Sequence, residues 1–529
     1  MTHWTSVPHL LRDRARTHGG REALRFEGAS LSLAGLDAAA SRWAYAFEGL
    51  GIRRGDRVAL ILPNGLDVPA AWLGAAAAEA VVVPVNYTYR TADLQHVLAD
   101  SGASIAVTSA ERATDLLAAR AHCPELRMVA VNDPVAPPGT ESLVERLEAA
   151  PPGRDLPALV PNDLVTLQYT SGTTGFPKGC MLSHAYWLEL GNAAVRFGRL
   201  TPDDVILTAG PFYYMDPMWN LVAGLIAGAP LVLLPRFSAS TFWRRIRDEG
   251  VTFFYCLGTM PLLLLKQPEQ PDLERGHRVR AVLCSGIAPQ LHPRFESRWG
   301  CPWREVYGTT EIGAGLMVPL EDGESVGSGA MGAPLPHREA RVVDPEHGGE
   351  IIDGGIGELQ LRGPAMMSGY WRHSEATARF FQDGWARTGD LVYRDARGYF
   401  HLLGRLKDMI RRGGENIAAA EVEAVLCEHP AVRAAACVPV PDPDRGEEVK
   451  AFVQLVSGVT PDDAPPAVLV DFVRQRLAPF KVPRFIEYVE SFPMTPSERI
   501  AKHRLLAARA DQRAGAWDAA AGQWAPIHE

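Results

Sequence analysis

The stretch Gln168-Tyr-Thr-Ser-Gly-Thr-Thr-Gly-Phe-Pro-Lys-Gly179 decides how the rest of the chain is read. It follows the apolar run 164–167, so it is expected as a loop leaving a strand. Between Thr170 and Gly179 stand four aliphatic hydroxyls, three glycines and one lysine. Glycines let successive backbone N–H groups turn inward, and such a nest holds phosphate oxygens. Lys178 adds a point charge, while Thr173 and Thr174 can reach phosphate or Mg2+-bound oxygens. The pattern is not a Walker loop, because Gly179 stands where Ser or Thr should follow the lysine. A polyphosphate site is implied.

Outward from this stretch, short β-rich runs alternate with helical lengths. They fall at 57–62, 80–84, 104–108 and 128–131, then at 205–208, 230–234, 251–255 and 279–283. Such a rhythm implies mostly parallel sheets with right-handed helical crossovers. After about residue 326 the texture changes to short strands between Gly-rich turns, at 339–343, 357–362, 391–394 and 399–403. That predicts a small antiparallel β subdomain. Past Gly404 a compact α+β tail is expected, with helices near 420–428 and 467–477 and strands near 434–440 and 449–455. The Ala/Gly/Gln stretch after Ala507 is expected as a fraying helix.

Composition bounds the rest. The chain has 529 residues, 47% hydrophobic and 22% charged, with a formal net charge of −9. These values exclude a disordered or fibrous protein and offer no basic face for nucleic acid. Seven cysteines, none spaced as C-x-x-C and none grouped with His at zinc-site spacing, predict buried reduced thiols and a cytoplasmic location. The N-terminus lacks an apolar signal core, and the most apolar stretch, 68–85, is interrupted by Glu79 and Pro84. No membrane span is expected.

Further motifs follow in order. Ser285-Gly-Ile-Ala-Pro289 ends a strand, and Tyr307-Gly-Thr-Thr-Glu311 sets a carboxylate behind two hydroxyls. Thr388-Gly-Asp390 and Gly404-Arg-Leu-Lys-Asp-Met-Ile-Arg-Arg-Gly-Gly-Glu-Asn-Ile417 come next. With the phosphate nest, this series resembles the adenylate-forming superfamily of acyl-CoA synthetases, luciferases and peptide-synthetase adenylation domains. The resemblance runs over nearly the full length.

The resemblance implies ATP and Mg2+ as cofactors and coenzyme A as co-substrate. It implies that Thr170, Ser171, Gly172, Thr173, Thr174 and Gly175 cradle phosphate with Lys178, and that Thr174 and Glu311 serve Mg2+. It would stack Tyr307 on adenine beside Gly308 and Thr309, and hold the adenylate phosphate with Thr310. Ser285, Gly286 and Ile287 would lie along the adenine and the acyl pocket. Asp390 would meet the ribose hydroxyls and Arg405 the nucleotide. Lys407 would be the hinge between a large region, 1–403, and a smaller mobile domain, 404–529. Gly413 and Gly414 would present slim backbone toward a pantetheine tunnel.

Two departures matter. The superfamily usually ends in a Gly-Lys pair whose lysine reaches the acid carboxylate and the α-phosphate. Here Glu498 and Arg499 take those places, so the catalytic role is carried to Arg499, with Lys502 as the alternative cation. In the acid-binding region many relatives carry Pro-x-Phe-His, where this chain has Pro211-Phe-Tyr-Tyr214 and then Met-Asp-Pro-Met-Trp219. Tyr213, Tyr214, Asp216 and Trp219 are therefore the candidate substrate contacts. Aromatic walls favour an aromatic or short acyl group, and Asp216 either meets a substrate amine or caps the following helix. The region looks most like the carnitine/crotonobetaine-CoA ligase branch.

The reading is thus an acyl-CoA ligase working through an acyl-adenylate on a small acid, aromatic or amine-bearing acids favoured. Alternatives within the superfamily are a carrier-protein or amide ligase and a nitrite-activating diazotase acting on an aryl amine. A non-catalytic nucleotide sensor is the alternative outside enzymes. A homodimer is carried as an open expectation.

Overall fold

The computed structural model describes residues 4–170, 177–257, 260–412, 415–494, 500–507 and 511–526. The chain divides into two compact units. The first comprises Met1–Ser328, Pro334–Glu339 and Gly363–Gly384; the second comprises Gly329–Ala333, Ala340–Arg362 and Trp385–Glu529.

The first unit contains a seven-stranded sheet ordered Glu141–Ser142, Met128–Val131, Ile105–Thr108, Arg57–Ile61, Val81–Pro84, Leu164–Thr170 and Lys178–Ser183. Its pairs are parallel except the last. Val81–Pro84 and Ile105–Thr108 bury every residue, as strands covered by helices on both faces must. A second run of parallel strands passes through Leu231–Leu233, Ile206–Thr208, Phe253–Leu257, Ala281–Ser285 and Trp303–Thr309. It ends in the antiparallel strand Gly313–Met317. Trp72 and Trp187 meet edge to face at 5.5 Å in the core, and each indole N–H donates to the buried hydroxyl of Thr166. That shared acceptor fixes both rings while leaving neither buried donor unpaired.

The second unit holds the antiparallel strands expected after residue 326. Trp385–Arg394 pairs with Gly357–Arg362 on one side and Phe400–Arg405 on the other. A separate sheet is built on the long hairpin Val432–Asp442 and Gly446–Leu455, with helices Ala419–Cys427 and Pro466–Arg474. The chain is therefore mixed α/β with large N-terminal sheets and a smaller C-terminal domain. One expectation fails: the tail after Ala507 is not a helix over its described residues. Trp517–Asp518 and Gln523–Trp524 pair antiparallel. Gly515 and Gly522, at φ 75° and 65°, adopt left-handed backbone that ends helices. Among the described residues no helix is long and apolar enough to cross a membrane.

Candidate active site

In the antiparallel pair Leu164–Thr170 and Lys178–Ser183, Thr170 stands opposite Lys178. The quoted stretch thus starts at the end of one strand and closes at the start of its antiparallel partner, which Lys178 opens. Ser171, Gly172, Thr173, Thr174 and Gly175 lie outside the described residues, as do Arg499, Gly413 and Gly414.

Lys178 points its ammonium at the ring of Tyr370, 5.2 Å from the centroid. The Tyr370 phenol donates 2.9 Å to Glu311 Oε1. These parts are sewn together by backbone. Met181 N donates to Gly369 O, Ser368 N to Met181 O, Trp371 N to Gly179 O and Met367 N to Glu311 O, at 2.8–2.9 Å. Three segments far apart in sequence thereby bring a cation, a carboxylate and a phenol to one place. Tyr370 escaped the sequence reading; its only signal was an aromatic pair closing the Gly-rich run 363–371.

The turn joining Trp303–Thr309 to Gly313–Met317 carries Thr310 and Glu311. A Cβ on Gly308 would stand 2.3 Å from Gly313 O, so only glycine lets the strands close there. Tyr186 Oη donates 2.9 Å to Thr310 O, and Thr310 Oγ1 lies 3.2 Å from Met215 Sδ. Buried Arg338 spans the turn, donating to Ile312 O at 2.9 Å and Ala314 O at 3.2 Å. Nothing in the sequence marked Arg338.

Ser285, Gly286 and Ile287 leave the strand Ala281–Ser285, with Gly286 at φ 78°. Buried Glu305 holds this bend, accepting from Gly286 N at 3.0 Å and Ile287 N at 2.9 Å. Burial pushes its carboxyl up to about 7, against those two donors, which favour the anion. Ser285 Oγ accepts from Tyr255 Oη at 2.9 Å and donates to Val306 O. Tyr307, two residues past Glu305, is buried in the same strand.

Beside this bend lies a cavity of ≈ 100 Å3, lined among others by Phe197, Asp216, Trp219, Tyr255, Gly308 and Thr309. Asp216 and Trp219 thus reach it. Tyr213 borders a much smaller cavity with Trp72 and Phe212, and Tyr214 lines neither, its ring instead 4.7 Å from that of Tyr213. Asp216 does not cap its helix. Tyr214 is the cap residue of Met215–Ala227, with no side-chain bond, and Asp216 Oδ1 accepts from Trp219 Nε1 at 3.3 Å. Burial in apolar surroundings pushes the Asp216 carboxyl up to about 6.

In the second unit Asp390 and Arg405 stand opposite each other on paired strands, Arg405 Nε 2.7 Å from Asp390 Oδ1. Glu358 shapes the preceding turn, accepting from Gly389 N at 3.1 Å and pairing with Arg387 Nε at 2.8 Å. Lys407 occupies the 3-10 turn Leu406–Asp408, between the strands Phe400–Arg405 and Met409–Arg412. Lys502 Nζ lies 2.7 Å from Glu423 Oε1 and 3.8 Å from Asp408 Oδ2. Burial works to lower its pKa, but the two carboxylates outweigh it and hold it raised.

Among the described residues no group of three His, Cys, Asp or Glu converges on a metal position. Of the two residues expected to serve Mg2+, Glu311 lies among the described residues. A single carboxylate fits a cation that keeps several waters and binds through one or two carboxylates plus substrate phosphates. A nucleotide-borne Mg2+ suits this donor set.

A strand pair carrying Lys178, a turn carrying Glu311 and a cavity beside that turn thus sit together on parallel α/β sheets. Residues 11–371 match the model of the AMP-binding enzyme family, and residues 421–499 match the AMP-binding enzyme C-terminal domain. The chain belongs to the AMP-binding enzyme family and is an ATP-dependent, AMP-forming ligase of the acid–thiol type. It is 34% identical to sulfoacetate–CoA ligase of Cupriavidus necator, covering 95% of each chain. It is 31% identical to crotonobetaine/carnitine–CoA ligase of Salmonella paratyphi A, over 93% of this chain and 97% of that enzyme. ATP-bound MatB of Rhodopseudomonas palustris shares the fold with a TM-score of 0.85 at 29% identity, over 95% of this chain and 98% of that one. The sensor alternative finds no support among these relatives.

Proposed function

We propose that this ligase joins a small carboxylic acid to the thiol of coenzyme A in two steps. In the first, an oxygen of the acid attacks the α-phosphorus of ATP; the bond to the bridging oxygen breaks and pyrophosphate leaves. In the second, the thiolate sulfur attacks the acyl carbon and AMP leaves with the oxygen the acid contributed. One observation carries the proposal: Lys178 and Tyr370 meet Glu311 on the turn that directly follows Gly308 and Thr309, which line the cavity. Cationic and hydrogen-bonding groups are set where phosphate charge develops, next to room for an acyl group.

In this reading Lys178 and the hydroxyl-rich loop hold the phosphates, Thr310 holds the adenylate phosphate, and Glu311 holds the nucleotide's Mg2+. Tyr307, Gly286 and Ile287 take the adenine, and Glu305 keeps their bend in shape. Asp390, tethered by Arg405, takes the ribose hydroxyls. Arg499 is the cation for the acid and α-phosphate, supported by the engagement of Lys502 with Glu423 and Asp408. The region past 403 is a separate domain turning at Lys407. Seven unpaired thiols support a reducing, cytoplasmic setting.

The experiment is acid-dependent pyrophosphate release with a panel of sulfonated, aromatic, amino and short aliphatic acids, with nitrite included, each with and without coenzyme A. Thioester formation with at least one acid is expected. Pyrophosphate release that yields no thioester with any acid would move the acceptor to a carrier protein or an amine.

A further inference from the structure

The acyl cavity is lined mostly by carbon, with the hydroxyl-bearing Tyr255, Ser285 and Thr309 and a single carboxylate. Leu190, Phe197, Trp219, Tyr255 and Met317 present carbon or ring surface, and Asp216 is the one charged side chain among the described residues that line it. A carboxylate in such surroundings needs a proton or a cation. Within the described residues its carboxylate receives one hydrogen bond, from the Trp219 indole at 3.3 Å, and forms no ion pair. The bland explanation is that Asp216 serves the helix beginning at Met215. A first-turn acid does gain from the helix dipole, but no backbone N–H of that turn bonds to it. The helix can keep Asp216 ionised without supplying its partner.

We propose that Asp216 is the subsite for a protonated amine on the substrate, so that this enzyme activates a compact acid bearing an –NH3+ group. The inference rests on the ligase reading above and names its substrate class. Most lone pairs of the carboxylate remain for N–H donors. The hydroxyls nearby add acceptors, because Tyr255 donates its proton to Ser285 and Ser285 donates to Val306 O. The Trp219 and Tyr255 rings, edge to face at 5.4 Å, offer π surface to the same cation. Volume and hydrogen-bonding capacity both favour a primary ammonium over a quaternary one. The cavity measures ≈ 100 Å3, below the roughly 150 Å3 of an engineered cavity that admits benzene. A trimethylammonium head would fill most of it and could donate no hydrogen bond. The raised carboxyl of Asp216 is consistent with a site whose counter-charge arrives with the ligand.

The test is ATP–pyrophosphate exchange by the full-length enzyme with matched pairs of acids. The pairs are aminoacetate with propanoate, 3-aminopropanoate with butanoate, and 4-aminobutanoate with pentanoate. A further arm uses 4-(trimethylammonio)butanoate. The amine should win in at least one pair by on the order of 10²-fold in kcat/KM, as when a buried polar site rejects an analogue lacking the donor. In Asp216→Asn that preference should collapse toward parity. Preference for the neutral member in every pair overturns the subsite, as does an amine preference untouched by the substitution or a preference for the trimethylammonium acid over every amine. Should Asp216→Asn fail to fold, Asp216→Ser replaces it, and the wild-type pairs decide on their own. Exchange with neutral acids alone overturns the subsite and leaves the ligase reading standing; exchange with no acid overturns both.

Discussion

The phenol of Tyr370 donates a 2.9 Å hydrogen bond to Glu311 Oε1, while the face of the same ring lies 5.2 Å from Lys178 Nζ. One side chain thus touches both the carboxylate and the cation to which the proposed function assigns the phosphate chemistry. The phenol bonds to Glu311 Oε1, so on the proposed reading Oε2 is the oxygen that meets the nucleotide's Mg2+.

Tyr370→Phe separates these two effects. The ring stays under Lys178, but Glu311 loses its donor. Adenylation should fall about tenfold, the scale of one hydrogen bond to a charged group, with a higher Mg2+ requirement and an unchanged melting temperature. Pyrophosphate release titrated against magnesium checks this. Wild-type rates at limiting magnesium would show that Tyr370 does not orient Glu311.

The tail cation is decided by two variants. Lys502 is held by Glu423 and Asp408, so Lys502→Ala should cost stability while leaving adenylation within a few-fold per folded molecule. Arg499→Ala should cut adenylation by about 10²-fold or more, the scale of one lost transition-state donor, and spare thioester formation from supplied acyl-adenylate. The reverse pattern makes Lys502 the catalytic cation.

Glu305 gives a pH signature. Its carboxyl sits at about 7 when folded, against 4.5 for an ordinary glutamate. The folded state therefore holds this proton more tightly than the unfolded state. The resulting stabilisation is full below about 4.5 and is lost as pH rises through 7. Glu305→Gln removes this titration. Between pH 4.5 and 7.5 the stability of the wild type should fall relative to the variant by on the order of 3 kcal/mol. Urea unfolding at several pH values measures the difference; parallel curves would mean that Glu305 ionises normally.

Lys407 occupies a single 3-10 turn between two strands, a place where few backbone angles need change for a domain to rotate. Lys407→Pro, which restricts φ, should spare adenylate formation and slow thioester formation. Single-turnover measurement of each half-reaction checks this, and equal losses in both would show that no such rotation separates the steps.

Much of this architecture was legible in the sequence because its signals are local. Parallel core strands announce themselves as Val/Ile/Ala runs, and all eight runs expected before residue 326 appear as strands. Lys178, Thr310 and Glu311 stood in motifs whose residue types already imply phosphate chemistry. Residues that act by reaching across the chain were hidden. Tyr370 meets Glu311 over 59 positions, and Arg338 braces a turn 26 residues upstream. Glu305 was the one with a visible clue, a carboxylate two residues before Tyr307 in the strand Trp303–Thr309. The tail after Ala507 misled because its alanines have high helix propensity, while Gly515, Gly522 and the pairing of Trp517 with Trp524 determine its shape. Tyr213 and Tyr214 were singled out by the departure from Pro-x-Phe-His, a local signal that does not say which cavity a ring borders; Tyr213 borders the smaller cavity and Tyr214 neither of the two.

Oxygen transfer tests two-step activation most directly. The enzyme is given ATP, Mg2+, coenzyme A and a substrate acid labelled with 18O in its carboxylate, and the AMP formed is weighed by mass spectrometry. Attack by the acid on the α-phosphorus, followed by thiol attack at carbon, must leave one labelled oxygen on AMP. Singly labelled AMP formed in step with thioester is the predicted result. Thioester accompanied by unlabelled AMP, or by ADP, would contradict an acyl-adenylate and leave Lys178, Glu311 and Arg499 without a part in adenylation.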